Sequence, residues 1–544
     1  MPFWWSKYVK AVKKNQKNGS NLRGSDTSGT AKEIPIERMG TSLKKRLDQL
    51  KKATGNSPDF VIHEFIIGRE ANVPAAMISL DGLDDPKMVN ENLLETIINN
   101  PAIDPYLESG NVLDDLMKHA IKIGGVKTVM NWNDLFSHLL SGDTILMIDQ
   151  VYGALSISTR GGERRAVEEP ATEVTVRGPR DGFTESIQVN TSLIRKRIKN
   201  PNLWMESMKI GEVTQTEVSL MYIKGIANDK VIEEARKRLK RIKIDSILES
   251  GYIEQLIEDK SFTSFPTMYH TERPDKVAAN LLEGRFAILV DGSPFVLIAP
   301  AVFIQFFQSA EDYYSRFDIA TAIRFLRVLV FMISLIGPAS YVAATTFHQE
   351  MIPTQLIFNL TAQREAIPFP AFVEAMLMEI VFEILREAGL RLPKPIGQTV
   401  SIVGALVIGQ AAVQAGLVSP AMVIVVSITA IASFATPAFS IAISARLIRF
   451  LFMFLAATFG FFGIIIGSIA MVIHLCSLRS FGVPYMMPLA PFVGENIGDA
   501  ILRKPLWAMK ERPRLVSQKN IMRQGENQRP MPPGRQNQGN GDSP

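Results

Sequence analysis

The pattern of hydrophobic and polar positions divides this chain in two. Up to about Arg285 charged residues recur every few positions, and apolar residues come in short runs. From Gly397 to Ser444 there is no Asp, Glu, Lys or Arg. A soluble core has no need of so long an uncharged stretch, whereas a bilayer core about 30 Å thick takes ~20 apolar residues per crossing. The pattern therefore predicts an α/β soluble N-terminal region, built of two related subdomains, followed by an α-helical transmembrane bundle.

The two subdomains are read from an internal echo. LLSGDTILMID (Leu139–Asp149) and LLEGRFAILVD (Leu281–Asp291) share two leucines closing a helix, a glycine at the same offset, an apolar run and a final aspartate. Each continues into a second apolar run, Ala154–Ile157 and Phe295–Ile298, across turn-forming residues, which is a hairpin signal. Arg285–Ile298 is accordingly expected to be a β-hairpin despite its hydropathy, because Asp291, Gly292 and Pro294 sit in its middle. A weaker echo pairs Phe60–Gly68 with Glu217–Gly225. Further strands are expected at Ala75–Leu80, Thr172–Val176 and Trp204–Ile210. Helices are expected near Asn90–Ile98, Val112–Lys122, Asn133–Leu140, Ser186–Lys199 and Val231–Ile242.

Pro300–Phe317 is short, aromatic and amphipathic and reads as an interfacial helix. Spans are expected at Ala320–Thr345, Ile396–Gly416, Pro420–Ser444 and Leu447–Leu475. A fifth candidate, Pro370–Ala388, is apolar on one side only. Arg324, Arg327 and the basic residues at both ends favour both termini inside. That gives four crossings with Pro370–Ala388 along or dipping into the membrane; the rival count is five. The boundaries are 1–32 for a basic segment and flexible linker, 33–160 and 161–299 for the cytosolic subdomains, and 300–318 for the interfacial helix. They continue with 319–476 for the membrane domain, 477–511 for a C-terminal cytosolic segment and 512–544 for a disordered tail.

Two sets of residues in the apolar half invite a role. Gly463 and Gly467 form a GxxxG, extended backwards by Ala456 and Gly460. Ala405/Gly409 and Ala412/Gly416 repeat the spacing, which lets helix backbones approach within a bundle or between copies. Glu379, Glu383 and Glu387 recur at i, i+4, i+8 and so form one stripe of a helix. Facing a shared axis in a homo-oligomer, they would ring a cation pathway; on an interfacial helix they would sit in water, paired with Arg386 and Arg391. Gln410 and Gln414 suit an interhelical hydrogen bond, and Thr436-Pro437 a kink.

Composition adds mainly exclusions. The net charge of +5 over 544 residues is modest and gathers at the ends, so nucleic acid is not an expected partner. Trp4, Trp5 and Tyr8 beside Lys7, Lys10, Lys13 and Lys14 suit a membrane interface or a frayed basic tail. The single Cys476 rules out an internal disulfide. Six scattered histidines give no metal-ligand spacing, and no phosphate-loop, zinc-protease, nucleophile-elbow or dinucleotide motif occurs. Neither an enzyme nor a cofactor is expected.

Three long segments carry a resemblance: Gly178–Gly211, opening GPRDG, Glu283–Phe303 and Glu383–Pro420. In this order they resemble the A-subunits of spore-germination nutrient receptors, the GerA family, over about Asp59 to Pro513, and the long polar ends resemble its K-type branch. The resemblance implies a multi-pass protein of the spore inner membrane with its N-terminal region cytoplasmic. It further implies a permease-like B-subunit and a lipoprotein C-subunit as partners, membrane lipid around the helices, and an oligomeric channel releasing cations when nutrient binds. Gly178, Pro179, Arg180, Asp181 and Gly182 are then a family motif of unassigned role. A secondary transporter, a non-conducting scaffold and a related sporulation membrane protein of the same family are the competing readings. The transporter lacks the expected membrane repeat and paired interrupted helices.

Overall fold

The computed structural model describes residues 39–68, 72–89, 112–120, 125–161, 169–170, 175–391, 407–494, 497–513, 520–525 and 528–530, with the single positions 97, 107, 173 and 516. The first sheet holds β1 (Phe60–Ile67), β2 (Val73–Leu80), β3 (Lys127–Val129), β4 (Thr144–Ile148) and β5 (Ala154–Ile157) in the order β1-β2-β4-β5-β3. The second holds β6 (Leu203–Ile210), β7 (Thr216–Ile223), β8 (Tyr269–Thr271), β9 (Phe286–Val290) and β10 (Val296–Ala299) in the matching order β6-β7-β9-β10-β8. The paired strands are antiparallel in both. The duplication expected from the LLxG echo is thus present strand for strand.

The echo has a local cause. Helix α2 (Trp132–Leu139) ends at Gly142 and its counterpart α6 (Pro274–Leu282) ends at Gly284, with φ of +93° and +95°. Such a left-handed residue stops a helix and turns the chain into the next strand. At Gly142 a Cβ would also lie 2.8 Å from the carbonyl oxygen of Leu83. β4 and β9 follow, and every side chain in both is buried, since each sheet has helices or loops over both faces. Arg285–Ile298 is the expected hairpin, with Ile288 opposite Leu297 and Ala287 opposite Ile298.

Two expectations are corrected here. Phe60–Gly68 does not correspond to Glu217–Gly225: β1 matches β6, whereas Glu217 lies in β7, the counterpart of β2. Neighbouring strands of one sheet are alike in apolar pattern, so similarity alone does not set which pairs with which. Of the strand expected at Thr172–Val176, the described residues 173, 175 and 176 are irregular, and Thr172 and Val174 lie outside the described residues, as does most of Asn90–Ile98. The helices α1 (Leu43–Ala53), α3 (Ile187–Arg197), α4 (Asp229–Arg241) and α5 (Ser250–Ile257) complete the layers. Between the sheets, buried Arg195 grips Asp59 at 2.7 and 3.1 Å, and Trp204 Nε1 donates to the carbonyl of Ala53.

Pro300–Phe317 is not a helix on a surface. It folds as a 3-10 turn at Phe303–Phe307 and a four-residue helix at Glu311–Tyr314. Phe306 and Phe307 are buried, and Phe303 and Phe307 meet Phe331 and Tyr485 edge to face. The aromatic residues thus face protein. One apolar core runs from the second sheet through these rings into the helices.

The helical region comprises α7 (Phe317–Thr346), α8 (Thr354–Arg364), α9 (Ala371–Arg391), helical residues 407–414, α10 (Pro420–Phe434) and α11 (Phe439–Ser477). α7 is long and apolar enough to cross a membrane, as is the stretch of α11 taken end to end. The contacts fix the path. α7 leaves the sheets and ends beside Gly460, where Phe347 and His348 abut that glycine. α9 returns antiparallel to it, and α10 runs parallel to α9, with Glu374 bonded at Ser419 and Arg386 at Ser433. α11 is two helices: Ser444 bonds the carbonyl of Ser264 and His474 bonds Thr263 at 2.9 Å, so both ends lie at the second sheet's side. The reversal is at Gly460, with φ +62° and ψ −142°.

The expected spans are therefore redrawn. Pro420–Ser444 ends at Phe434, because Pro437 cannot continue the hydrogen-bond ladder, and Ser444 belongs to the next helix. Leu447–Leu475 is a helical hairpin, not one pass. Pro370–Ala388, expected along or dipping into the membrane with a fifth crossing as the rival, packs inside the bundle against α7, α10 and α11. Residues 392–406 lie outside the described residues.

Candidate functional site

Polar groups concentrate at the junction between the second sheet and the helices. The GPRDG loop opens it. Gly178 has φ +144°, and a Cβ there would sit 2.7 Å from the Tyr314 ring, so only glycine permits the approach. The Pro179 carbonyl accepts from Arg273, Asp181 pairs with Arg197 at 2.6 Å, and Gly182 is buried. Arg180 points out, 4.0 Å from Glu169. Arg273 is buried and donates to Asp275 at 2.7 and 3.1 Å and to Thr175. Tyr314 Oη donates to Asp275 at 2.6 Å. Burial alone would raise the Asp275 pKa, but the hydrogen bonds from Arg273 and Tyr314 hold it below the usual carboxylate range. Lys276 bridges Glu173 and the Tyr269 hydroxyl, each at 3.0 Å.

The same linker clamps α7. Buried Asp312 accepts from Arg324 at 2.8 Å and from Arg327 at 2.8 and 2.9 Å. Arg324 reaches on to Asp499 at 2.9 Å, and Tyr313 Oη donates to the same carboxylate. The linker is thereby tied to the start of α7 through charge-assisted bonds, which are short and directional. The GPRDG loop, the Glu311–Tyr314 turn and the start of α7 form one connected unit, joined also by Glu311 accepting from the Val176 and Arg177 amides.

A second set of ion pairs runs through the bundle. Glu374 accepts from the Ser419 amide at 2.9 Å, with Arg364 at 3.3 Å. Glu379 and Arg449 pair at 2.6 Å, each side chain about 1% exposed, and Arg449 also donates to the carbonyl and hydroxyl of Ser334. Glu383 pairs with Arg446 at 2.8 Å, and Arg386 donates to Ser433 Oγ at 2.8 Å. Glu387 and Arg391 pair in the open. Outside this ladder the helices expose Ile380, Ile384, Ile428, Ile431, Phe434, Leu451, Phe454, Ile465 and Ile469. Charges inside and large apolar side chains outside invert the order of a water-soluble bundle.

Residues 48–515 match the family described as Bacillus/Clostridium GerA spore germination protein. The chain belongs to the GerA family. It is 60% identical to spore germination protein KA of Bacillus subtilis (strain 168) over 92% of this chain and 91% of that one. Spore germination protein GerLA of Bacillus cereus is 40% identical over 88% and 96%. The uncharacterized membrane protein YfkQ of Bacillus subtilis (strain 168) is 46% identical over 89% and 93%. Among solved structures, the N-terminal domain of the A subunit of the Bacillus megaterium spore germinant receptor GerK3 is 49% identical, covering 50% of this chain and 99% of that domain at a TM-score of 0.41.

In this GerA-family chain, Glu379, Glu383 and Glu387 do share a stripe of α9, but they differ in setting. Glu379 is buried, Glu383 is half-buried and both face arginines of α11; Glu387 is exposed. Gly463 and Gly467 pack within the chain: a Cβ at Gly463 would lie 2.2 Å from the Leu455 carbonyl oxygen, and one at Gly467 would lie 2.8 Å from Leu455 Cδ1. Gly460 makes the turn between those halves, and Gly409 faces Val423 of α10. Ala405 lies outside the described residues. Sequence reasoning missed Arg446 and Arg449, whose i, i+3 spacing just past the uncharged run mirrors the glutamate stripe. It also missed Arg273 and Tyr314, which nothing local marks.

Proposed function

We propose that this chain is the A-subunit of a nutrient germinant receptor in the spore inner membrane, with its sheet region cytoplasmic. The observation that carries the reading is the 60% identity, over nine-tenths of both chains, to spore germination protein KA. The inverted helical region supports membrane placement, and the return of both ends of α11 to the second sheet's side supports a cytoplasmic C-terminal segment. The chain assembles with a permease-like B-subunit and a lipoprotein C-subunit and forms homo-oligomers. Nutrient binding opens a cation path along α9. Glu387 is the exposed member of that path; Glu379 and Glu383 join it when their pairs with Arg449 and Arg446 open, so these pairs hold the closed state. The junction at Asp312, Arg324 and Asp499 couples the sheets to α7.

The test is cation flux in liposomes holding the assembled receptor. Replacing Glu379, Glu383 and Glu387 together by Gln keeps size and helix preference and removes the charge that concentrates cations. Flux should fall and cation preference weaken. Normal flux with wild-type selectivity would retire the stripe, and absence of flux from the intact wild-type assembly would favour the scaffold.

A further inference from the structure

Among the described residues where α9 meets α11, the buried charges do not balance. Three arginines, Arg386, Arg446 and Arg449, face two carboxylates, Glu379 and Glu383. Arg449 takes Glu379 and Arg446 takes Glu383. Arg386 comes no nearer than 3.7 Å to Glu383, with a side chain 9% exposed. It is otherwise held by Ser433 and by the ring faces of Phe382 and Phe434, at 4.8 and 4.9 Å. Among the described residues, the Nε of Arg386 and of Arg446 has no hydrogen-bond partner. Residues 392–406, next in the chain, contain Lys394 and no Asp or Glu, so they supply no balancing charge. A buried cation that shares its neighbouring carboxylate with a second arginine is costly.

Both arginines line one cavity of about 480 Å³ between the second sheet and the bundle. Arg273, Lys276 and Arg327 also line it, but each has its own acid: Asp275, Glu173 and Asp312. The remaining acid on the wall, Glu311, accepts from two backbone amides. Arg386 is therefore the lining cation that no carboxylate bonds closely, as Glu311 is the lining carboxylate that no cation bonds. Phe434 and Phe439 stand at the same wall and are 71% and 56% exposed, so the polar cavity adjoins apolar surface. Guanidinium forks match phosphate oxygens.

We propose that this cavity binds the phosphate group of an anionic phospholipid, held by Arg386 and Arg446, with the acyl chains lying against Phe434 and Phe439. The occupant gives Arg386 a directly hydrogen-bonded anion, at the junction between the sheets and the helices. The site rests on the membrane placement above but not on conduction, and a binding readout lets either fail without the other.

The experiment is native mass spectrometry of the purified full-length chain in neutral detergent with added phosphatidylglycerol or phosphatidylcholine. Phosphatidylglycerol should be retained in preference. Arg386→Gln should weaken its retention about tenfold, as expected for loss of a charged hydrogen bond. Arg391→Gln, at the exposed end of the same helix, should retain it like the wild type. Competition by millimolar inorganic phosphate would uphold the site and make its occupant the soluble anion. Equal retention of the two lipids, or an Arg386→Gln protein that binds like the wild type, would overturn the proposal. Should Arg386→Gln fail to fold, thermal stabilisation of the wild type by short-chain phosphatidylglycerol over phosphatidylcholine decides it, and no difference counts against the site.

Discussion

Replacing Arg449 by Met tests the ion-pair ladder most directly. The guanidinium is about 1% exposed and makes three bonds: to Glu379 at 2.6 Å, to the Ser334 carbonyl at 2.6 Å and to the Ser334 hydroxyl at 3.0 Å. Removing it strands a buried carboxylate, a loss of ~3–5 kcal/mol, while replacing both charges by apolar groups of similar volume is often nearly neutral. Met is unbranched and fills either site. Arg449→Met and Glu379→Met should each lose ~3 kcal/mol or more, and the double variant should lie within ~1–2 kcal/mol of the wild type. The implied coupling of at least ~4 kcal/mol is a factor of nearly a thousand in the folding constant. Denaturant titration of the purified protein in bicelles reads it, provided the slope is unchanged. If the two single losses simply add in the double variant, Glu379 and Arg449 are not a stabilising pair. The ladder would then be a static arrangement with no bearing on a closed state.

The helical hairpin at Gly460 makes Gly463→Leu severe: its Cβ would meet the Leu455 carbonyl oxygen at 2.2 Å, and overpacking of this kind costs ~1–3 kcal/mol or more. Folded yield by size-exclusion should drop, whereas Gly409→Leu, whose nearest neighbour among the described residues is 3.7 Å away, should be mild; equal behaviour would contradict the hairpin. A pH effect is expected in the second subdomain, where burial, then Glu258 and Glu249, push Glu254 up to about 7 from 4.5. The folded form keeps a proton that the unfolded chain has released, so stability falls as pH rises from about 4.5 to about 7, by up to ~3 kcal/mol. Glu254→Gln should flatten that dependence in urea midpoints at pH 5, 6.5 and 8, and parallel curves for the two proteins would refute it.

The amino-acid order by itself determined the local elements and their duplication. Leu-Leu-x-Gly before an apolar run marks a helix stop and a buried strand, because only glycine takes the left-handed turn cheaply. The length and purity of the apolar half marked long helices. Aspartate, glycine and proline inside Arg285–Ile298 kept a hydropathic stretch in a sheet. Direction was not legible. An uninterrupted apolar run has the same composition whether the chain goes straight on or turns back, and at Gly460 it turns back. The partners of the glutamate stripe were equally hidden, since Arg446 and Arg449 lie some sixty to seventy positions away in sequence. Spacing places three carboxylates on one helix face, but whether that face meets water, lipid, another copy or an arginine is settled by packing. In this structure two of the three meet arginines of α11, because charges in an apolar bundle are stable only when the tertiary fold brings a counter-charge to them.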